Sequence, residues 1–311
     1  MRGPSGQSAS VDPIADDDVK QRIVRFVGQA STEITPADER RLPELAKWLP
    51  TSTAVYVAHT RAASLGDVVR TALAVRRAGF PATPHIVARR IANALTLRKA
   101  LAELRAGGLD QVLLIAGDSS EPVGEFSSTL DILDSGALEQ ADIRRIGVAG
   151  HPEGHKGIGS ILLWEALQAK QAYADRTGAT MHIVTQFGFN ASAVLDWEYQ
   201  LQRHQIRLPV HVGIAGPAPL PKLIQYAMQC GIGASLRTVM RNLSAAGNVA
   251  ELAITAEQHL VRLLATARAS QIVAPHFFAL GGCIETARWI GQVAAGAFDL
   301  DPRSGKLSVR N

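Results

Sequence analysis

Six polar residues stand within or just past short apolar runs. Glu33 lies in GQASTEI, His85 in ATPHIVA and Asp118 behind QVLLIAG. His151 follows IGVAG, Gln186 lies in HIVTQFGF and His276 in VAPHFFAL. Glu33 is the sole acid of its run, and a carboxyl in a partly dry pocket has a raised pKa and can donate a proton near neutrality. A strand-end Glu paired with a surface Arg such as Arg40 is the plainer alternative. Asp118 follows a glycine at which the chain can turn, and could hold a ring N–H or a developing cation. A turn or helix-capping Asp is equally in keeping with that position. Gln186 has an acceptor and two donors between aromatic neighbours Phe187 and Phe189, which suits a flat heterocycle. It could also merely satisfy a core backbone group.

GHPEGHKG is the densest polar cluster in the chain. His151 and His155 are four apart and would share one face of a helix, the spacing of a metal pair. Pro152 and the flanking glycines argue for a loop, and no third ligand precedes it, so no metal is expected. Two histidines and a lysine on a loop suit a phosphate or a polarised ring. Lys170, further along, reads as a solvated helix residue unless a phosphate reaches it.

These residues are scattered along the chain, so the elements between them must gather them. Short apolar runs alternate with longer segments of helical periodicity. Eight strands are expected: one from about Arg25 to Ile34, then TAVYVAHT, PATPHIVA, QVLLIAGD, RRIGVAGH, MHIVTQFGF, PVHVGIAG and IVAPHFFAL. Several are continuously apolar, as expected when both faces are buried. The pattern predicts an α/β fold, a (β/α)8 TIM barrel of one domain with extra helices after the seventh strand. In such a barrel the C-terminal strand ends open on one face, where the active site lies. An open doubly wound sheet is the runner-up, disfavoured because no G-x-G-x-x-G follows the first strand. Expected boundaries are a disordered lead over 1–22, the barrel over 23–301 and a flexible tail over 302–311.

With 311 residues, 47% of them hydrophobic, the chain can build one large core. A formal charge of +4 without basic clusters gives no support to nucleic-acid binding. No run is long enough to span a bilayer, and no membrane association is expected. Cys230 and Cys283 form no CxxC pair, which fits a reducing cytoplasm. Helix residues such as Trp197 and Tyr199, expected to be exposed, permit a homo-oligomer.

Taken in order, Thr32-Glu33-Ile34, Pro84-His85, Gly117-Asp118, the HPEGH run from His151, Thr185-Gln186-Phe187 and the HFFAL run from His276 resemble the methylenetetrahydrofolate reductase family. The likeness extends over roughly Gln29 to Val293. It implies a (β/α)8 flavoprotein that interconverts 5,10-methylene- and 5-methyl-tetrahydrofolate with FAD and NADH or NADPH. By the resemblance, Glu33 is the acid that donates a proton as the substrate's imidazolidine ring opens to an iminium, and Asp118 is its catalytic neighbour. Gln186, Phe187, Phe189, His276 and Phe278 would bind the tetrahydrofolate substrate. His59, His85, Ala116, Gly117, Asp118, His151, His155 and Lys170 would bind the cofactor. The chain departs from the family where Ala116 replaces an Arg, Ala58 a Thr and His151 a Tyr. Leu280-Gly281-Gly282 also stands where the family often has Asn-Arg, leaving Arg237 or Arg241 as substitutes toward the folate tail. A flavin-independent reductase, a redox-inactive folate-binding module and a metal-dependent barrel hydrolase therefore stay open as alternatives.

Overall fold

Eight parallel strands close into a barrel in the order β1 to β8 in this computed structural model. It describes residues 16–188, 190–218, 220–229, 270–301 and 307–310. The strands are β1 (Ser31–Ile34), β2 (Ala54–Val57), β3 (Ala82–Val87), β4 (Gln111–Ile115), β5 (Arg145–Gly150), β6 (Thr180–Phe187), β7 (Val210–Ala215) and β8 (Ile272–Phe278). Closure is made by β1 against β8, with Ser31 opposite His276 and Thr32 opposite Phe277. The α/β barrel expected from the alternation of runs is therefore the fold of this chain.

Helices follow because the segments between strands carry apolar residues at helical spacing and start on capping residues. In α3 (Leu65–Arg77), Ser64 and Asp67 form a capping box, while Val68, Val69, Ala72 and Val75 face the strands. Asn93 caps α4 (Ala94–Ala106), Ser128 caps α5 (Thr129–Asp134), and Asn190 caps α8 (Ala191–Arg203). α6 (Ala137–Gln140) is a single turn, and α7 (Ser160–Thr177) ends on Gly178 in the left-handed region at φ 70°. The segment after β1 is a 3-10 stretch over Pro36–Arg41 followed by α2 (Leu42–Leu45), one turn long. α9 (Leu220–Gln229) and α10 (Cys283–Ala294) follow β7 and β8. The further helices expected after β7, with Cys230, Arg237 and Arg241, lie outside the described residues.

Both termini differ from expectation. Asp16–Gly28 is a helix, α1, and Val19, Ile23 and Val27 bury its one-sided stripe against the barrel. The apolar run near Arg25 belongs to that stripe, so β1 starts only at Ser31, and the expected lead over 1–22 is helical from Asp16. In the tail, β10 (Leu307–Val309) pairs antiparallel with β9 (Phe298–Leu300). Phe298 and Leu307 are buried, and the Lys20 ammonium donates to the Phe298 carbonyl at 2.8 Å. A buried carboxylate, Glu198 of α8, anchors the chain where it re-enters β8. It accepts from Ser270 Oγ at 2.6 Å and from the Gln271 backbone N–H. The main core is the layer between strands and helices, whereas the space inside the barrel holds Tyr56, Leu113 and Val184 among polar groups.

Candidate active site

β1 is short and its residues alternate: Thr32 and Ile34 face the helices, leaving Ser31 and Glu33 to the barrel interior. Ser31 Oγ meets His276 Nδ1 at 2.8 Å, while Thr32 Oγ1 donates to the Phe277 carbonyl at 3.2 Å. Glu33 is half-buried, opposite Tyr56 in register, and makes no hydrogen bond or ion pair with any described residue. The pairing with Arg40 is not formed. Burial, aided by the negative charge of Asp38, pushes the Glu33 carboxyl up to about 8, so it stays protonated at neutral pH.

A run of ring contacts carries the site from β2 through β8 to β6. The Tyr56 ring lies edge-on to His276 at 4.6 Å between centroids, and His276 lies edge-on to Phe278 at 4.9 Å. Phe278 packs on Phe187 at 5.6 Å, and a small apolar cluster of Phe187, Ala215, Leu223 and Leu280 backs them. Gln186 points its amide across the mouth, donating to the Gly154 carbonyl at 3.4 Å. That long bond leaves its carbonyl oxygen and second N–H for another partner. Phe189 lies outside the described residues.

Asp118 is brought to the same face but not into the same group. Gly117, at φ +99°, turns the chain, and a Cβ there would stand 2.6 Å from Val87 Cγ1. The turn delivers Asp118 to the outer rim. Arg61 donates to it through Nε at 3.0 Å and Nη2 at 2.5 Å, and Arg90 lies at 3.7 Å. Partial burial pushes its carboxyl upward, but these bonds, its own backbone N–H and the two guanidinium charges outweigh that and hold it below the usual range. Asp118 is thus an ion-paired rim residue. Ala116 contributes a carbonyl, which accepts from the Arg89 N–H at 3.0 Å.

The histidine loop after β5 is irregular, as the glycines and Pro152 imply, and His151 and His155 meet edge to face at 5.2 Å. Lys170 is only 6% exposed and forms no hydrogen bond or ion pair with a described residue. Its expected solvation is therefore wrong, because it lies on the inner face of α7. Burial lowers its ammonium to about 8, and burial with the nearby His155 and Lys170 lowers His151 to about 4. His59 donates from Nε2 to the Ala63 carbonyl at 3.1 Å, while its Nδ1 and the Nε2 of His85 are buried without a partner among the described residues. Among the described residues no group of three or more His, Cys, Asp or Glu could hold a metal ion. No described helix is long and apolar enough to cross a membrane. Trp197, expected at the surface, is buried, whereas Tyr199 is exposed.

Sequence reasoning passed over Tyr56, His182, His211, Arg61 and Arg90. The first three share a signal: each lies an even number of residues from an inward-facing position on its strand, at the period of two that a strand imposes. The two arginines carry no such signal, since their pairing with Asp118 joins loops far apart in the chain.

Comparison with known proteins adds two findings. A sequence model of the family described as Methylenetetrahydrofolate reductase matches residues 39–282, a span that begins just after Glu33. Among solved structures, a mutant tryptophan synthase alpha-subunit from the hyperthermophile Pyrococcus furiosus matches with a TM-score of 0.50 at 13% identity, over 86% of this chain and 98% of that one. A putative phosphonomutase from Burkholderia cenocepacia J2315 gives 0.45 at 14% identity, over 83% and 90%. Dihydropteroate synthase from Thermus thermophilus gives 0.45 at 12%, over 85% and 92%. At 13% identity the likeness to the alpha-subunit is one of fold alone.

Proposed function

The chain belongs to the methylenetetrahydrofolate reductase family, and from that premise we propose that it interconverts 5,10-methylene-tetrahydrofolate and 5-methyl-tetrahydrofolate by hydride transfer. The observation that carries the reading is Glu33: a carboxyl without a hydrogen-bond partner among the described residues, held protonated to about 8, on the inward face of the mouth. A proton donor for a leaving ring nitrogen needs that combination of neutral charge and a free O–H. Phe278, half-buried and backed by the buried rings of Phe187 and His276, offers a flat surface against which a pterin ring can lie. Gln186, with unused donor and acceptor capacity, would read the ring's polar edge.

The residues present fit a flavin dinucleotide. Lys170 is a buried cation beside His151 with no acidic partner among the described residues, and suits a phosphate. The buried, unpartnered Nδ1 of His59 and Nε2 of His85 would accept or donate hydrogen bonds at its ring. FAD, when bound, supplies a hydride carrier between NADH or NADPH and the folate. Glu33 would hold and release the proton, Asp118 with Arg61 would close the flank, and Gln186 would orient the substrate.

A second reading, direct hydride transfer from the nicotinamide cofactor, is favoured by one feature. Asp118 is already engaged by Arg61 and Arg90, and Ala116 offers no polar side chain to a flavin. The spectrum of the purified protein and anaerobic NADH oxidation with methylene-tetrahydrofolate decide between them. A yellow, active protein supports the flavin reading, and a colourless, active one supports direct transfer. Tight folate binding with no turnover would replace both by a folate-binding module.

A further inference from the structure

Barrel interiors are ordinarily packed with branched aliphatic side chains. This one carries Tyr56, His85, His182, His211 and His276 beneath the mouth, of which His182 and His211 lie outside the site described above. Gly147 of β5 makes the space: a Cβ there would stand 2.8 Å from Leu113 Cδ1 and 3.0 Å from His182 Nε2. The rings are joined in pieces. Tyr56 Oη and His182 Nε2 are 2.9 Å apart, and Ser31 Oγ and His276 Nδ1 are 2.8 Å apart. Between the pieces there is ring contact without a hydrogen bond: His182 on His211 at 4.5 Å, Tyr56 against His276 at 4.6 Å and against His85 at 6.1 Å.

Among the described residues, three ring nitrogens here are buried without a partner: His211 Nδ1, His276 Nε2 and His85 Nε2. Each belongs to a ring at one of the breaks. Buried polar atoms are nearly always satisfied by protein or by ordered water. We propose that internal waters seated on these nitrogens join the pieces into a proton path from His211, near the N-terminal end of β7, to Glu33. Glu33 lies one inward step beyond Ser31 on β1. The groups facing the path are Ser31 and Glu33 from β1, Tyr56 from β2, Thr83 and His85 from β3, Gln111 from β4, and His182, His211 and His276 from β6 to β8. Gln111 Nε2 donates to Thr83 Oγ1 at 2.7 Å beside the Tyr56 hydroxyl.

The proposal rests on Glu33 acting as the acid. When its proton goes to the leaving ring nitrogen, the carboxylate takes one from the adjoining water. Each hydroxyl, imidazole and water behind it gives one proton and takes one, and the last comes from solvent at half-buried His211. Neutral imidazole, with one donor and one acceptor nitrogen, passes a proton on without a lasting charge. Substrate lying over Glu33 would therefore not isolate the acid from its proton supply.

Two measurements test this. In the unmodified protein with nitrogen-15 histidine, magnetisation transfer from long-lived water to the rings of His85, His211 and His276 is expected. Rings without water contact overturn the proposal, independently of any activity. Tyr56→Phe keeps the ring and removes one hydroxyl. Turnover should fall about ten-fold with KM within about two-fold, and the solvent isotope effect should rise as proton delivery becomes limiting. Turnover and isotope effect equal to those of the parent overturn it, and if the variant does not fold the magnetic-resonance result decides. Full activity in Glu33→Gln would instead strike the function proposed above, whatever the water contacts show.

Discussion

At Glu33 one local environment sets both the protonation state and a stability cost. The carboxyl has an ordinary value of 4.5 and is raised to about 8 in the fold, first by burial and then by Asp38. The folded state therefore binds the proton more tightly than the unfolded chain does. The stabilisation is fully present below 4.5 and is lost as pH rises through about 8. Activity requiring the protonated acid should fall through the same upper limb. Glu33→Gln should abolish proton donation, lowering turnover by about 100-fold or more while folate binding persists. It should also raise stability by about 2 kcal/mol near pH 8, because the amide cannot ionise in the dry site. Melting temperatures of parent and variant that run parallel from about pH 5 to 9 would contradict this. Asp118 shows the opposite case: its two arginines keep it ionised, but Arg61 is 78% exposed, so the pair adds little stability.

Among the elements, α1 and β5 are each legible for a different reason. Val19, Ile23 and Val27 recur every four residues, yet the adjoining apolar run also suits a strand, and only the packing partner decides between the two. Since Ile23 is fully buried under α10 and β8, Ile23→Ala should cost about 2–5 kcal/mol in denaturant unfolding. A value near zero would mean that α1 is dispensable. On β5, Gly147 has no Cβ because Leu113 and His182 occupy its place. Gly147→Ala should destabilise by about 1–3 kcal/mol with the barrel retained, measurable by urea titration. A periodicity argument assigns β5 as a strand readily enough, but the need for glycine at 147 depends on strands β4 and β6.

For the molecule as a whole, the buried histidines set the response to acid. Burial, followed by neighbouring charges where present, lowers His85 and His182 to about 3 and His151 and His211 to about 4, from an ordinary 6.5. A depressed histidine favours the fold fully above 6.5, and that contribution is lost as pH falls toward 4 and 3, where the unfolded chain binds the protons. Stability should therefore decline from about pH 6.5 downward, before most carboxylates titrate. Thermal unfolding between about pH 8 and 4 checks this, and a melting temperature flat down to about pH 5 would refute it.

The alternation of short apolar runs with amphipathic segments was enough to determine the barrel, its strand assignments from β2 onward, and the strand ends on which Glu33, Gln186 and His276 stand. Those properties follow from local periodicity and from the common direction of parallel strands. The tertiary structure alone decided which polar side chains meet. It paired Asp118 with Arg61, buried Lys170, packed Phe278 between His276 and Phe187, and drew four histidines and Tyr56 onto the barrel axis. Contacts of that kind depend on barrel closure and strand register, which bring together residues far apart along the chain.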